Sequence, residues 1–147
     1  MVSKVWRRIS SNTLQTLWKG KEMNIYIATK NNMVGLVLTG THNKPYLFKA
    51  FETETTDKEA QTILATQRAV QFARNNRILY AGHEINVYTN NDIDLDKVRN
   101  DEYLKRMVCP IELKEAVTDE EKHHLQLAST EIVMESRRMI MRGNSGR

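Results

Sequence analysis

The chain has 147 residues, of which 40% are apolar and 27% charged, a composition typical of one globular domain and not of a disordered protein. Its single cysteine, Cys109, excludes an intrachain disulfide, so we expect a buried free thiol and a cytoplasmic protein. The sequence holds no run of roughly 18 apolar residues that would span a bilayer, and no membrane partner is expected.

The positive charge lies at the two ends of the sequence. Residues 1–22 carry +4 and residues 136–147 carry +4, so the total of +4 leaves −4 for the residues between them. Segregated charge of this kind favours a polyanionic partner, with nucleic acid as the first candidate, although basic ends also simply increase solubility. The candidate phosphate-contacting residues are Lys4, Arg7, Arg8, Lys19, Lys21, Arg137, Arg138 and Arg142.

Residues 1–22 are predicted to form a basic extension ahead of a domain that begins at Met23. Both tryptophans, Trp6 and Trp18, lie in this extension. Packing of the two rings onto their own domain is the favoured interpretation, and stacking on bases or contact with a protein partner is the alternative.

Three strands are predicted next, at Met23–Thr29, Met33–Thr39 and Tyr46–Thr53. The middle strand is an almost continuous apolar run, as expected of a strand buried on both faces. Because short polar turns join the three strands, they are expected to form an antiparallel meander.

A helix at Asp57–Asn75 follows the meander. We expect a capping box at its start, in which Thr56 and Glu59 satisfy each other's backbone amides. The next strand, Glu84–Thr89, alternates polar and apolar residues. A strand that is reached through a helix usually lies parallel to its neighbour.

The last third of the chain is predicted to form a helix at Asp94–Met107, a strand at Ile111–Val117 and a final helix. A second capping box opens that helix at Thr118, and the apolar pattern continues to Met141. Residues 142–147 are predicted to form a flexible basic tail. The complete order is βββαβαβα, which predicts an α/β domain with helices on both faces of a mixed sheet.

This order of elements over residues 23–141 resembles the ribonuclease H family, together with three local patterns. The patterns are Ile25-Tyr26-Ile27-Ala28-Thr29, Thr55-Thr56-Asp57-Lys58-Glu59-Ala60-Gln61 and Val87-Tyr88-Thr89-Asn90-Asn91. The resemblance implies a five-stranded sheet in the order 3-2-1-4-5. It also implies acidic metal ligands at three places, where this sequence has Thr29, Gln61 and Asn90. The family also has a fourth acid early in the last helix, and the residue nearest to that place here is His123 or His124.

Phosphodiester cleavage in this family resembles two-metal catalysis, in which two Mg²⁺ ions hold the attacking and leaving oxygens. Mg²⁺ prefers anionic oxygen ligands, whereas Thr, Gln and Asn are neutral. We therefore expect Thr29, Gln61 and Asn90 to converge on one pocket without a metal, and we expect no catalytic residues, no cofactor and no enzymatic activity. Relocated ligands are the alternative, with Asp92, Glu52 and Glu54 as candidates.

Two kinds of binding protein remain. The leading hypothesis is a catalytically inactive ribonuclease H-like domain that binds RNA, DNA or an RNA/DNA hybrid as an accessory protein. The alternative is a protein-interaction module, an inhibitor or a homo-oligomeric scaffold, since Met and Trp are enriched at such interfaces. Its candidate interface residues are Trp6, Trp18, Met134, Met139, Ile140 and Met141. An active nuclease with relocated carboxylates is the third hypothesis.

Overall fold

A computed structural model describes residues 22–79, 82–107 and 109–145. The predicted N-terminal extension therefore lies outside the described residues, apart from Glu22, which begins the first strand. The same holds for the candidate contact residues of that extension, which are Lys4, Trp6, Arg7, Arg8, Trp18, Lys19 and Lys21.

Five strands form one mixed sheet. They are β1 (Glu22–Lys30), β2 (Met33–Thr39), β3 (Pro45–Glu52), β4 (Glu84–Thr89) and β5 (Ile111–Lys114). Their order is β3-β2-β1-β4-β5. The first three strands are antiparallel to one another, whereas β4 is parallel to both β1 and β5. This order and these directions are those of the ribonuclease H-like fold, so the predicted fold class is confirmed.

Three α-helices complete the described fold: α1 (Lys58–Asn75), α2 (Leu95–Arg99) and α3 (Asp119–Ser145). Short 3₁₀ turns lie at Thr41–Asn43 and Leu104–Arg106. No helix among the described residues is long and apolar enough to cross a membrane.

The prediction of one helix over Asp94–Met107 is wrong, because Asp101 interrupts it. The Asp101 carboxylate accepts hydrogen bonds from the backbone amides of Tyr103 and Leu104, at 3.1 and 3.2 Å. It therefore starts a new turn instead of continuing α2. In the last third of the chain β5 is also shorter than predicted, and α3 includes residues 142–145, which the sequence assigned to a tail.

The two predicted capping boxes have different outcomes. Asp57, and not Thr56, caps α1, since its carboxylate accepts from the Ala60 amide at 3.1 Å. Glu59 is turned instead toward Lys97, with which it forms a 2.9 Å ion pair. Asp57 lies one residue nearer the first helical turn than Thr56 does, so its side chain reaches the free amide directly.

The capping box of α3 is confirmed. Thr118 Oγ1 accepts from the Glu121 amide at 3.1 Å, and Glu121 Oε1 accepts from the Thr118 amide at 3.0 Å. Burial opposes ionisation of Glu121, but hydrogen bonds from Thr118, Val117 and Tyr88 outweigh it and hold the pKa of this carboxyl below its usual value.

The sheet is covered on both faces. The larger core lies under α1 and includes Ile25, Ile27 and Val87, whose side chains alternate with those of the opposite face. On the α3 face the rings of Tyr26 and Tyr88 stack with centroids 4.6 Å apart. The buried His124 lies against Tyr26, and burial raises the pKa of both tyrosines.

Gly35 lets α3 lie directly on the sheet. A Cβ at this position of β2 would lie 1.8 Å from the carbonyl oxygen of Ala128, far inside van der Waals contact. One turn later Ile132 packs on Met33 and Ala50. The helix therefore approaches β2 at a distance that only glycine permits.

We expect Gly35→Ala to destabilise the domain by about 3 kcal/mol, at the upper end of ordinary overpacking, because a backbone carbonyl cannot move aside alone. Urea unfolding followed by circular dichroism measures this. Gly40→Ala is the matched control, since the nearest atom there belongs to the movable Tyr46 side chain. Equal losses in the two variants would contradict the close approach of α3 to β2.

Candidate functional site

The carboxyl ends of β1 and β4 meet at one edge of the sheet, because these two strands are parallel neighbours. Thr29 lies near the end of β1, and Asn90 and Asn91 follow β4 directly. We call this region the carboxyl edge. It holds two of the three positions that the sequence resemblance singled out.

Thr29 is joined to the end of β4 and to α1 by neutral hydrogen bonds. Asn91 Nδ2 donates to Thr29 Oγ1 at 3.0 Å and to Thr62 Oγ1 at 3.4 Å. The Asn91 backbone amide donates to Thr89 Oγ1 at 3.2 Å. We call these contacts the strand-end link, and they hold the two strands and the helix together where the sheet ends.

Asn90 does not take part in the strand-end link. It borders a groove on the opposite face with Leu125 and Gln126 of α3. Successive residues of an extended chain point to opposite faces, so Asn90 and Asn91 serve different sides of the sheet. The expectation that Thr29, Gln61 and Asn90 share one pocket is therefore corrected: the strand-four residue that contacts Thr29 is Asn91.

Gln61 binds the turn between β1 and β2. Its side chain is completely buried, and Nε2 donates to the carbonyl oxygens of Asn31 and Thr55, at 2.8 and 2.9 Å, and to Thr53 Oγ1 at 3.1 Å. The Thr53 amide in turn donates to the carbonyl oxygen of Asn32 at 2.7 Å. These contacts, which we call the turn clamp, tie α1 to the turn and to the end of β3.

The turn clamp requires a hydrogen-bond donor at the end of the Gln61 side chain. Two of the three groups that face Gln61 Nε2 are carbonyl oxygens, which accept hydrogen bonds and cannot donate them. An ionised glutamate would place a buried charge against these two oxygens. Gln61 thus has a structural reason to be an amide.

The carboxyl edge does not fit the pair of Mg²⁺ ions that the resemblance implies. Thr29 and Asn91 bond to each other, and Gln61 faces carbonyl oxygens. Among the described residues no group of three or more His, Cys, Asp or Glu side chains could hold a metal ion, so Asp92, Glu52 and Glu54 do not form one. Glu52 instead accepts a hydrogen bond from the Asn32 side chain at 3.0 Å.

One side of α3 runs along the carboxyl edge. Its residues recur at helical spacing of three and four and form what we call the groove stripe: Lys122, Gln126, Ser129, Val133, Arg137 and Ile140. From Lys122 onward this stripe contains two cations and no acid, while Asp119 lies on the same side of the helix one turn before Lys122. At 1.5 Å per residue, Lys122 and Arg137 lie about 22 Å apart along the helix axis.

Two grooves follow this stripe. The first, of about 350 Å³, lies between the end of β4 and the first turns of α3 and is bordered by Asn90 and Lys122. The second, of about 500 Å³, lies between the β1–β2 turn and the C-terminal half of α3, and we call it the turn groove. Lys30 and Arg137 border it from its two sides. Within the described residues Lys30, Lys122 and Arg137 are exposed and form no ion pair.

A second stripe of α3 carries charges that neutralise one another. Glu135 pairs with Arg142 at 2.7 Å and with Arg138 at 3.0 Å. Arg142 and then Arg138 hold the pKa of Glu135 below its usual value. We call Glu135, Arg138 and Arg142 the paired stripe. Two of the three C-terminal arginines that were predicted to contact phosphate thus already have an acidic partner, and only Arg137 lies on the groove stripe.

The candidate protein-interface residues on α3 also differ from one another. Met139 is half-buried and packs beside Met33. Met134 is 41% exposed, Ile140 64% and Met141 67%. Met134 and Met141 are seven residues apart and lie outside the groove stripe.

Sequence reasoning did not find Lys30, Lys122 or the turn groove. Lys30 stands alone in a polar turn, and Lys122 stands among the acids that open α3. A helical-wheel comparison of the acidic and basic positions from Lys122 to Arg142 would have separated the two stripes.

Comparisons with known proteins add a distant structural likeness. No family model and no curated protein matches the sequence. Among solved structures, RNase H1 from the halophilic archaeon Halobacterium salinarum NRC-1 is 14% identical, with a TM-score of 0.47. The match covers 76% of this chain and 96% of that chain. The fold class stands on the strand order and strand directions described above.

The expectation that the protein is not an enzyme is corrected. The similar solved structure is an RNase H1, and the likeness contains no evidence of inactivity. The neutral residues at the three positions that the sequence resemblance singled out are not evidence that activity is absent.

We predict that Gln61→Glu destabilises the domain by about 3 kcal/mol at about pH 8, because it replaces a donor with a buried charge. Burial and the two carbonyl oxygens raise the pKa of the introduced carboxyl, so the deficit against wild type should shrink as the pH falls to about 5. Urea unfolding at both pH values measures it.

The control for this variant is Gln71→Glu, which makes the same change at an exposed position of α1. Its stability should stay within about 0.5 kcal/mol of wild type. A Gln61→Glu protein as stable as this control would show that the turn clamp does not need an amide.

Proposed function

We propose that the protein binds nucleic acid along the groove stripe of α3, where this helix borders the carboxyl edge of the sheet. The observation that carries the proposal is the separation of charge on α3. Among the described residues of α3, Lys122 and Arg137 stand on the groove stripe and form no ion pair, and the one acid on that side of the helix, Asp119, lies before Lys122. Glu135 is instead on the other stripe with Arg138 and Arg142.

Lys30 adds a third cation from the end of β1, and it borders the turn groove together with Arg137. Three unpaired cations along about 22 Å can each contact a phosphate of one strand, because successive phosphates of a strand are several ångströms apart. Between the cations the stripe carries Gln126 and Ser129, and Asn90 borders the first of the two grooves. Such neutral groups contribute hydrogen bonds to phosphate, sugar or base.

The fold agrees with this proposal. The ribonuclease H family, which the element order resembles, acts on nucleic acid, and the similar solved structure is named as an RNase H1. The predicted phosphate contacts of Lys4, Arg7, Arg8, Lys19 and Lys21 belong to the same proposal. Their positive charge would add to the attraction of a polyanion.

A protein interface is the second candidate function. It is favoured by the exposed Met134 and Met141, which are seven residues apart on one side of α3. Apolar residues at this spacing suit contact with a partner helix. A wild-type molar mass that corresponds to an oligomer would support this function.

We expect Lys122→Gln/Arg137→Gln to weaken nucleic-acid binding. It should also lower the slope of log K against log salt concentration by the contribution of about two phosphate contacts. Each lost phosphate contact contributes about 0.9 to this slope on duplex DNA and about 0.7 on a single strand. Fluorescence anisotropy with labelled oligonucleotides at several NaCl concentrations measures it.

Arg138→Gln/Arg142→Gln is the matched control, because it removes the same charge from the same helix. It should lower the slope less, since both arginines are paired with Glu135. A larger effect of the control would move the interface to the paired stripe, and no salt-dependent binding by wild type would contradict the proposed function. Gel analysis of the same complexes with Mg²⁺ measures cleavage separately.

A further inference from the structure

The turn groove combines an apolar floor with a cationic rim. Met33, Ile132 and Met139 contribute to the floor, with Ile140 at its outer end. Lys30 and Arg137 border it from opposite sides. At about 500 Å³ it is within the size range of small-ligand sites.

A duplex backbone would make little use of this floor. Duplexes present phosphates and sugars on the outside, while the faces of their bases are stacked inside. An unpaired base, in contrast, exposes an apolar ring face between two charged phosphates. Methionine sulfur also forms favourable contacts with aromatic rings, and both Met33 and Met139 border the groove.

We propose that the turn groove accepts an unpaired base of single-stranded DNA or RNA, with the flanking phosphates on Lys30 and Arg137. This inference rests on the proposed function and names the nucleic-acid class of the same surface. The base lies on the apolar floor, and its polar edge faces the neutral side chain of Asn31, which is exposed at the rim.

Contacts within the protein hold one wall of the groove in place. Asn31 has a positive φ of 55°, a conformation that asparagine tolerates better than most residues. The turn clamp holds that conformation, since Gln61 Nε2 donates to the Asn31 carbonyl oxygen at 2.8 Å. One wall of the groove is thus fixed by a completely buried side chain, which lowers the entropic cost of binding.

Charge favours a nucleic-acid strand over two other candidate occupants of the groove, which are a second copy of this chain and residues 1–22 of the same chain. A second copy would bring its own Lys30 and Arg137 toward the same rim. The basic residues 1–22 of this chain carry +4, so they too would meet like charge. Glu52 also borders the groove and keeps its negative charge while accepting a hydrogen bond from Asn32, so the two cations leave the rim net positive, which the negatively charged strand complements.

The test compares three DNA ligands of about 12 nucleotides: oligothymidylate, an abasic strand of equal length, and the duplex of oligothymidylate with oligoadenylate. Oligouridylate reports RNA in the same assay. We expect wild type to bind oligothymidylate or oligouridylate about tenfold more tightly than the abasic strand and the duplex, since contact of one base with a side-chain platform is worth about 1–3 kcal/mol.

The variant Met139→Ser/Ile140→Ser should remove this preference and reduce single-strand affinity to the abasic level, with the salt slope unchanged. Met134→Ser/Met141→Ser is the control, because it removes the same kind of side chain outside the groove stripe. It should keep the preference. Circular dichroism and molar mass of each variant verify folding and oligomeric state.

The outcomes separate this inference from the proposed function. Equal affinity for all ligands, or tighter duplex binding, with a normal salt slope would overturn the inference and leave the function standing. No binding to any ligand would overturn both. A wild-type dimer that Met139→Ser/Ile140→Ser converts to a monomer would assign the groove to a second copy and would also overturn the inference.

Discussion

The approach of α3 to β2 is the constraint on which the rest of the surface depends. Where a Cβ at Gly35 would lie 1.8 Å from the Ala128 carbonyl oxygen, the helix backbone rests on the sheet backbone. Ile132 then packs on Met33 and Ala50. With these contacts fixed, helix geometry determines that Lys122 and Arg137 lie along the carboxyl edge. It also determines that Glu135 lies on another side with Arg138 and Arg142.

Hydrogen bonds between uncharged groups hold the carboxyl edge together. The strand-end link joins Thr29, Asn91 and Thr62, and the turn clamp joins Gln61 to the β1–β2 turn. Each link uses a side-chain amide as donor, which a carboxylate cannot replace. Gln61, one of the residues that the sequence resemblance compared with metal ligands, therefore positions the turn that borders the proposed base site.

Strong local signals in the sequence predicted most of the fold. The bounds of β2 and β4 are confirmed to the residue, because turn residues and charge end both apolar patterns abruptly. The strand order followed from the meander, the crossover rule and the family resemblance. The break after α2 was missed because the Asp101 side chain competes with the backbone in a segment of weak apolar pattern.

The candidate site was less predictable from the sequence. Thr29 and Gln61 were identified as important positions, but their partners lie up to 62 residues away in the chain. The choice between Asn90 and Asn91 depends on which of the two residues lies on the α1 face of the sheet, where Thr29 is, and a one-residue difference in register reverses that choice. The pairing of Arg138 and Arg142 with Glu135 could be read from helical spacing, whereas the opposition of Lys30 and Arg137 needed the tertiary structure.

The central claim is that nucleic acid contacts the groove stripe and the β1–β2 turn. Titration of the ¹⁵N-labelled full chain with an oligonucleotide, followed by amide chemical shifts, tests it most directly. We predict the largest shift changes at residues 30–33 and at Lys122, Gln126 and Arg137, with smaller changes at Arg138 and Arg142. Changes confined to the paired stripe or to the exposed face of α1, or no changes at all, would contradict this account.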